Sequence, residues 1–242
     1  MPVKRTIGIL GGMGPEATAD LYLKIIRSTP VSRDQDHFRV IIDSNPAIPD
    51  RTAAIFGQGE DPVPALRETA RNLELAGADF LVMPCNTAHY FHRQIQEAIR
   101  IPLLHMMRET VEYTVRKWPE IKRVGLLATD GTLRTGLYHQ ALADRGREVI
   151  VPSPSDQALV MQAIYGGEGI KAGQHEAPRR LMLGVARALL TAGAQAVVAG
   201  CTEVPLVLHE GDLPAPVIDA TEILALAAVR EAGSLWPAPG CK

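Results

Sequence analysis

The sequence predicts an α/β protein of two pseudo-symmetric halves, each a mainly parallel sheet flanked by helices, with a cleft between them. Three observations carry that reading. Apolar runs of strand length alternate with segments of helical periodicity, the pattern of parallel sheets. The run Phe80-Leu81-Val82-Met83-Pro84-Cys85-Asn86-Thr87 is answered by Ala196-Val197-Val198-Ala199-Gly200-Cys201-Thr202-Glu203, and the two cysteines stand 116 positions apart, as do Gly77 and Gly193 in their lead-ins. Finally, Thr6–Leu10 corresponds to Arg123–Leu127 at an offset of 117, and Ile101–Leu104 to Ala215–Ile218 at 114. Landmarks in one order at nearly one spacing imply internal duplication, and so long a period implies two half-molecules rather than a solenoid.

In chain order, Ile7 to Leu10 reads as a buried strand turned by Gly11-Gly12-Met13-Gly14-Pro15. Pro15, at the favoured first helical position, opens a helix to about Ile26. Phe38 to Ile42 is the second strand and Asp43 to Thr52 a loop. Leu66, Ala70, Leu73 and Leu75 mark a helix leading to the third strand at 79–83. A helix over His89–Ile99 and a fourth strand over Ile101–His105 close the first half. In the second half, Val124–Ala128 and Glu148–Val151 are strands, and Thr129–Gly136 turns into a helix. Ser155-Asp156 is expected to cap a helix over Gln157–Tyr165. Gly166–Gly173 is a glycine-rich link, and Ala177–Leu190 a long helix delivering the chain to the Cys201 strand. Val217–Asp219 mirrors 102–105, and the helix Thr221–Ala232 is expected to complete the first half. The expected division is thus residues 1–102 with 213–242, and residues 103–212.

At 242 residues there is room for two cores, and 46% hydrophobic with 21% charged residues is ordinary globular composition. A net charge of −2 offers no basic field for nucleic acid or an anionic membrane. No apolar stretch is long enough for a signal or a span. The three cysteines, one of them Cys241 in a Pro/Gly tail, form no disulfide framework, so a reducing cytoplasm is the expected compartment. No CxxC, HExxH or spaced His/Cys cluster points to a metal.

In open α/β sheets ligands bind beyond the carboxyl ends of the strands. Cys85, Cys201, the Gly12 loop, Asp50-Arg51 and Thr129–Thr132 all fall at that edge. Gly12-Met13-Gly14-Pro15-Glu16-Ala17 matches the dinucleotide fingerprint formally, but the acid due about 20 residues on is missing, Asp43 arriving too late. Carboxylate binding at the helix N-terminus uses the same amide physics and suits the loop better. The cysteines admit several readings: buried small hydrophobes, a redox pair, or a single nucleophile with a redundant copy. Two thiols facing each other across one cleft suit another task. One removes a proton from one face of a carbon, and the other returns one to the opposite face.

Gly11-Gly12-Met13-Gly14-Pro15, Ser44-Asn45-Pro46, Asp50-Arg51-Thr52, Pro84-Cys85-Asn86-Thr87-Ala88-His89 and Gly200-Cys201-Thr202-Glu203-Val204-Pro205-Leu206 closely resemble the cofactor-independent aspartate/glutamate racemases, the aspartate branch in particular. The resemblance runs from Ile7 to about Asp219. It implies that Cys85 and Cys201 are the acid/base pair, working without pyridoxal phosphate or metal, with Asp50 and Glu203 assisting them. It further implies that Asn86, Thr87, Thr202 and the backbone around Met13 and Gly14 bind the substrate, with Thr132 a further candidate at the same edge. Arg51 and Lys171 fall where the family holds the distal carboxylate, Arg51 by a bidentate grip and Lys171 as part of a lid. The glutamate branch has His after its Cys-Thr and Asp-Ser in the first loop. Glu203 and Gly11-Gly12 stand there in this chain, which points to aspartate. A homodimer acting on an acidic amino acid is the implied assembly. Broad-specificity or glutamate-preferring racemases, a maleate-isomerase-like enzyme and a carboxylate-binding module are the alternatives. His89, His105 and His209 read as surface or satisfied core histidines.

Overall fold

The computed structural model describes residues 4–233, so Cys241 lies outside them. The strands are β1 (Ile7–Gly11), β2 (Val40–Ser44), β3 (Phe80–Val82), β4 (Arg123–Leu127), β5 (Glu148–Ile150), β6 (Ala196–Ala199) and β7 (Val217–Asp219). The helices in the first half of the chain are α1 (Pro15–Ser28), α2 (Arg51–Ile55), α3 (Val63–Leu75), α4 (His92–Gln96) and α5 (Met106–Lys117). Those that follow are α6 (Asp130–Thr135), α7 (Leu137–Ala143), α8 (Pro154–Tyr165), α9 (Glu176–Thr191) and α10 (Ala220–Ala232).

Two parallel sheets result, ordered β2-β1-β3 and β5-β4-β6-β7. An isolated parallel bridge between Leu81 and Leu103 extends the first, so both sheets share one order. The duplication read from the offsets is therefore a duplication of topology. β1 and β4 are equivalent interior strands, each pairing on both sides, as β6 does too in the second sheet.

Period-2 alternation divides the side chains into three apolar layers, as expected where both sheet faces are covered. Ile7, Ile9, Phe80, Val82, Val124, Leu126, Ala196, Val198 and Ile218 face one central core shared by the two sheets. Leu10, Leu81 and Met83 point outward to α3 residues such as Leu66 and Leu73. Leu127, Val197, Ala199 and Val217 point the other way, to Val160, Met182 and Leu189 of α8 and α9. Helix α1 packs on α10, which also packs on α5, so these helices lie between the sheets. Lys24 ties the layer together, its Nζ 2.5 Å from Asp20 and 2.7 Å from Asp219, the N-cap of α10.

Several expectations move. The divisions at 102/103 and 212/213 each separate a segment from the sheet it pairs with: Leu103 bridges to Leu81, and β7 pairs with β6. The last helix lies in the shared layer and so completes both halves. Pro102 has no N–H to donate, and the expected fourth strand shrinks to that bridge. The second strand begins at Val40 because its pairing with β1 runs from Ile7–Val40 to Gly11–Ser44. The helix expected over His89–Ile99 is a 3-10 turn, Thr87–Phe91, followed by the short α4. The cap of α8 is Ser153 rather than Ser155: Pro154 starts the helix, and the Ser153 hydroxyl accepts from the Asp156 N–H at 3.2 Å while donating to its carboxylate at 2.8 Å. Residues 50–52, expected as loop, instead open α2, because Asp50 caps it by accepting from the Ala53 N–H at 2.7 Å.

Candidate active site

The β1–α1 turn shows how local sequence shapes this edge. Gly12 has a φ of +96°, and a Cβ there would lie 2.3–2.5 Å from the Asn45 backbone, so only glycine lets the turn close against the β2 loop. Thr18 locks it, accepting from the Gly12 N–H at 2.9 Å and donating to the Gly14 carbonyl at 2.9 Å. Met13 spends its side chain in the outer core of the first half. Gly14 faces the other half: a Cβ there would lie 3.5 Å from Glu203 Oε1 and 3.6 Å from Lys171 Nζ.

Cys85 and Cys201 follow equivalent strands, and both are free and 6% exposed. Their surroundings differ. The Cys201 thiol donates to Glu203 Oε2 at 2.9 Å, and the Thr202 hydroxyl reaches the same oxygen at 3.3 Å. The other carboxylate oxygen of Glu203 accepts from Lys171. Burial and then the Glu203 charge push the Cys201 thiol well above its ordinary value, with Lys171 pulling the other way. Burial would lower the Lys171 ammonium, but the charges of Glu203, Cys201 and Cys85 outweigh it and hold the group raised.

Near Cys85, Arg51 is buried and donates through Nη1 to the Ile48 and Pro49 carbonyls at 3.0 and 2.9 Å, leaving Nε without a partner. Burial alone would lower its guanidinium, yet the charges of Cys85 and Asp50 keep it raised. Asp50 itself is exposed and engaged in capping α2, so the carboxylate–thiol contact made by Glu203 has no counterpart through that oxygen. Behind Cys85, His89 is a satisfied core histidine. Its Nδ1 donates to the Cys85 carbonyl at 2.8 Å, and its Nε2 accepts from the Met106 N–H at 3.1 Å. Burial and the neighbouring His105 lower it to about 3, which keeps the ring neutral and the Cys85 turn anchored. His105 is lowered to about 4, chiefly by burial, and His209 is exposed.

Three hydroxyls join the halves. Thr87 lies 3.0 Å from Thr129 and 2.9 Å from Thr132, which are 3.2 Å from each other. Gly131 makes the approach possible, since a Cβ there would meet Thr52 Oγ1 at 2.7 Å and Thr87 at 2.9 Å. The structure thus gathers Gly14, Lys171, Cys201, Thr202 and Glu203 on one side, and Arg51, Cys85, Asn86, Thr87 and Thr132 on the other. Sequence reasoning missed Tyr165 at the end of α8. Its ring lies 5.6 Å from Lys171 Nζ, and although the residue is 40% exposed, desolvation at the site and the charges of Cys201 and Asp50 raise its phenol. Its only sequence signal is its place just before the glycine link. Among the described residues no group of three or more His, Cys, Asp or Glu converges to hold a metal ion.

One consequence is measurable. Cys201 is expected to resist alkylation by iodoacetamide near about pH 7 and to gain reactivity as the pH rises, because only the thiolate attacks. Glu203→Gln removes the neighbouring negative charge, lowers the thiol pKa and moves that gain to lower pH. Mass spectrometry of the Cys201 peptide across pH reads the shift, and an unmoved profile counts against the Glu203 contact.

The family profile described as Asp/Glu/Hydantoin racemase matches residues 10–228. A broad specificity amino-acid racemase, RacX of Bacillus subtilis, is 30% identical over 229 residues, 92% of this chain and 96% of its own length. The aspartate racemase of Picrophilus torridus superposes with a TM-score of 0.84 at 33% identity, covering 95% of this chain and 94% of that one. An aspartate racemase homologue from Pyrococcus horikoshii OT3 gives 0.75 at 26% identity, covering 94% and 99%.

Proposed function

The chain belongs to the Asp/Glu/hydantoin racemase family, an isomerase by that membership, and on this premise we propose that it interconverts L- and D-aspartate through two cysteines, without pyridoxal phosphate or metal. The observation that carries the reading is the pair Cys85 and Cys201. They end equivalent strands, both are almost buried, and both bear on the protonation of Lys171 and Tyr165.

In the proposed step, the thiolate of one cysteine takes the α-proton and the C–H electron pair passes into the carboxylate as an enediolate. The opposite thiol then donates its proton to the other face of the carbon. The first cysteine ends as thiol and the second as thiolate, so proton and charge balance while the configuration inverts. An α-proton is weakly acidic, and the site must supply placement and charge stabilisation together. In the free enzyme Cys201 is held as the proton donor, which fits the substrate hand whose α-proton faces Cys85. For the other hand Glu203, 2.9 Å away, takes the Cys201 proton first. Asn86, Thr87, Thr132, Thr202 and the Met13-Gly14 backbone hold the α-groups, while Arg51 and Lys171 hold the distal carboxylate. Asp50 bears on Cys85 through Arg51. The proposed assembly is a cytoplasmic homodimer; among the described residues no helix is long and apolar enough to cross a membrane.

A second reading, broad specificity, is favoured by the likeness to RacX and by the Arg51 guanidinium being partly committed to backbone carbonyls. Incubation of each enantiomer of a panel of amino acids in deuterated water, followed by proton NMR and chiral chromatography, separates the readings. Exchange confined to aspartate supports the first, and exchange across neutral amino acids the second. No α-exchange with any amino acid overturns both and leaves an isomerase of the maleate type or a carboxylate-binding module.

A further inference from the structure

Asn86 is 2% exposed, and its two polar atoms have different fates. The amide oxygen accepts from the Tyr138 hydroxyl at 2.7 Å, whereas the amide nitrogen is buried without a partner. A buried donor left unpaired is costly, and such groups are rare in folded proteins unless they are reserved for something. An asparagine amide has two nearly isosteric orientations, in which donor and acceptor change places. Whatever fixes the orientation decides which of the two a ligand meets. Tyr138 comes from α7 in the second half and is fully buried, while Asn86 follows Cys85 in the first. The contact therefore crosses between the halves. Burial raises the phenol, so it stays protonated and remains a donor throughout the neutral range.

We propose that Tyr138 is a positioning residue of the racemase site, holding the Asn86 amide with its oxygen turned into the protein so that its N–H groups are presented to a substrate carboxylate. This rests on the racemase reading and adds to it a residue that touches no substrate. Asn86 is the phenol's hydrogen-bond partner among the residues placed in the site, while Thr110, outside it, and the Cys201 charge also bear on the phenol, so the route through Asn86 is the one the double variant isolates.

Kinetics of Tyr138→Phe, Asn86→Ala and the double variant test the assignment on the full chain, with melting temperatures alongside. Tyr138→Phe removes one oxygen and keeps the ring, so the core packing stays. Its kcat/KM is expected to fall about 10- to 100-fold, while in the Asn86→Ala background the same change costs almost nothing, because the two act as a unit. Asn86→Asp, which keeps an acceptor for the phenol but lacks the N–H groups, is expected to lose at least as much as Tyr138→Phe. An unchanged kcat/KM in Tyr138→Phe overturns the assignment, as does an equal loss in both backgrounds, the mark of a structural effect. A parental enzyme that racemises no amino acid overturns the functional reading itself, and is told apart because the failure precedes any substitution.

Discussion

Cys85→Ala and Cys201→Ala are each expected to lose racemisation in both directions, by about three orders of magnitude or more in kcat, since acid–base catalysis by a placed group is worth roughly 10²–10⁴-fold. Both directions fail in each variant because each cysteine is the base for one hand of substrate and the acid for the other. The single variants nevertheless differ in what they retain. Cys201→Ala keeps the Cys85 base, so it is expected still to wash the α-proton of one enantiomer into deuterated water while forming no product of the opposite hand. Cys85→Ala shows the converse wash-out only if Glu203 can deprotonate Cys201 without it. Time courses by NMR and chiral chromatography read both quantities. Full racemase activity in either variant removes the two-thiol mechanism.

Arg51→Ala is expected to raise KM for dicarboxylic substrates by about 10- to 100-fold, the size of one lost charge-assisted hydrogen-bonded pair. Alanine-sized substrates, if turned over, change little. The buried guanidinium already donates to Ile48 and Pro49, so some of the effect comes through the loop that carries Asp50. Arg51→Lys separates the two causes: it keeps the charge but cannot grip a carboxylate with two parallel donors. A KM restored by lysine marks a general electrostatic role, and a KM that stays high marks bidentate recognition. An unchanged KM in Arg51→Ala removes the residue from the substrate site.

The duplicated landmarks, the parallel α/β halves and the place of Cys85 and Cys201 after equivalent strands were all legible in the chain. They depend on local periodicity and on repeats a fixed distance apart, both of which survive as linear patterns. Gly12 was legible as a turn, and Glu203 and Lys171 as charges in suggestive places. Their mutual contact beside Cys201 was not, because 32 positions separate them and only the α8–α9 crossover brings them together.

What the tertiary structure alone decided lies between the sheets. That α10 sits in a layer shared with α1 and α5, and that β7 pairs with β6, follow from which faces remain to be covered once two sheets meet. No window of sequence contains that information. Nothing in the sequence singles out Tyr138, and only long-range packing turns its hydroxyl onto Asn86, 52 positions away. Linear patterning set the two thiols at the ends of matching strands; long-range packing selected the polar groups around each, and so gave two like cysteines unlike surroundings.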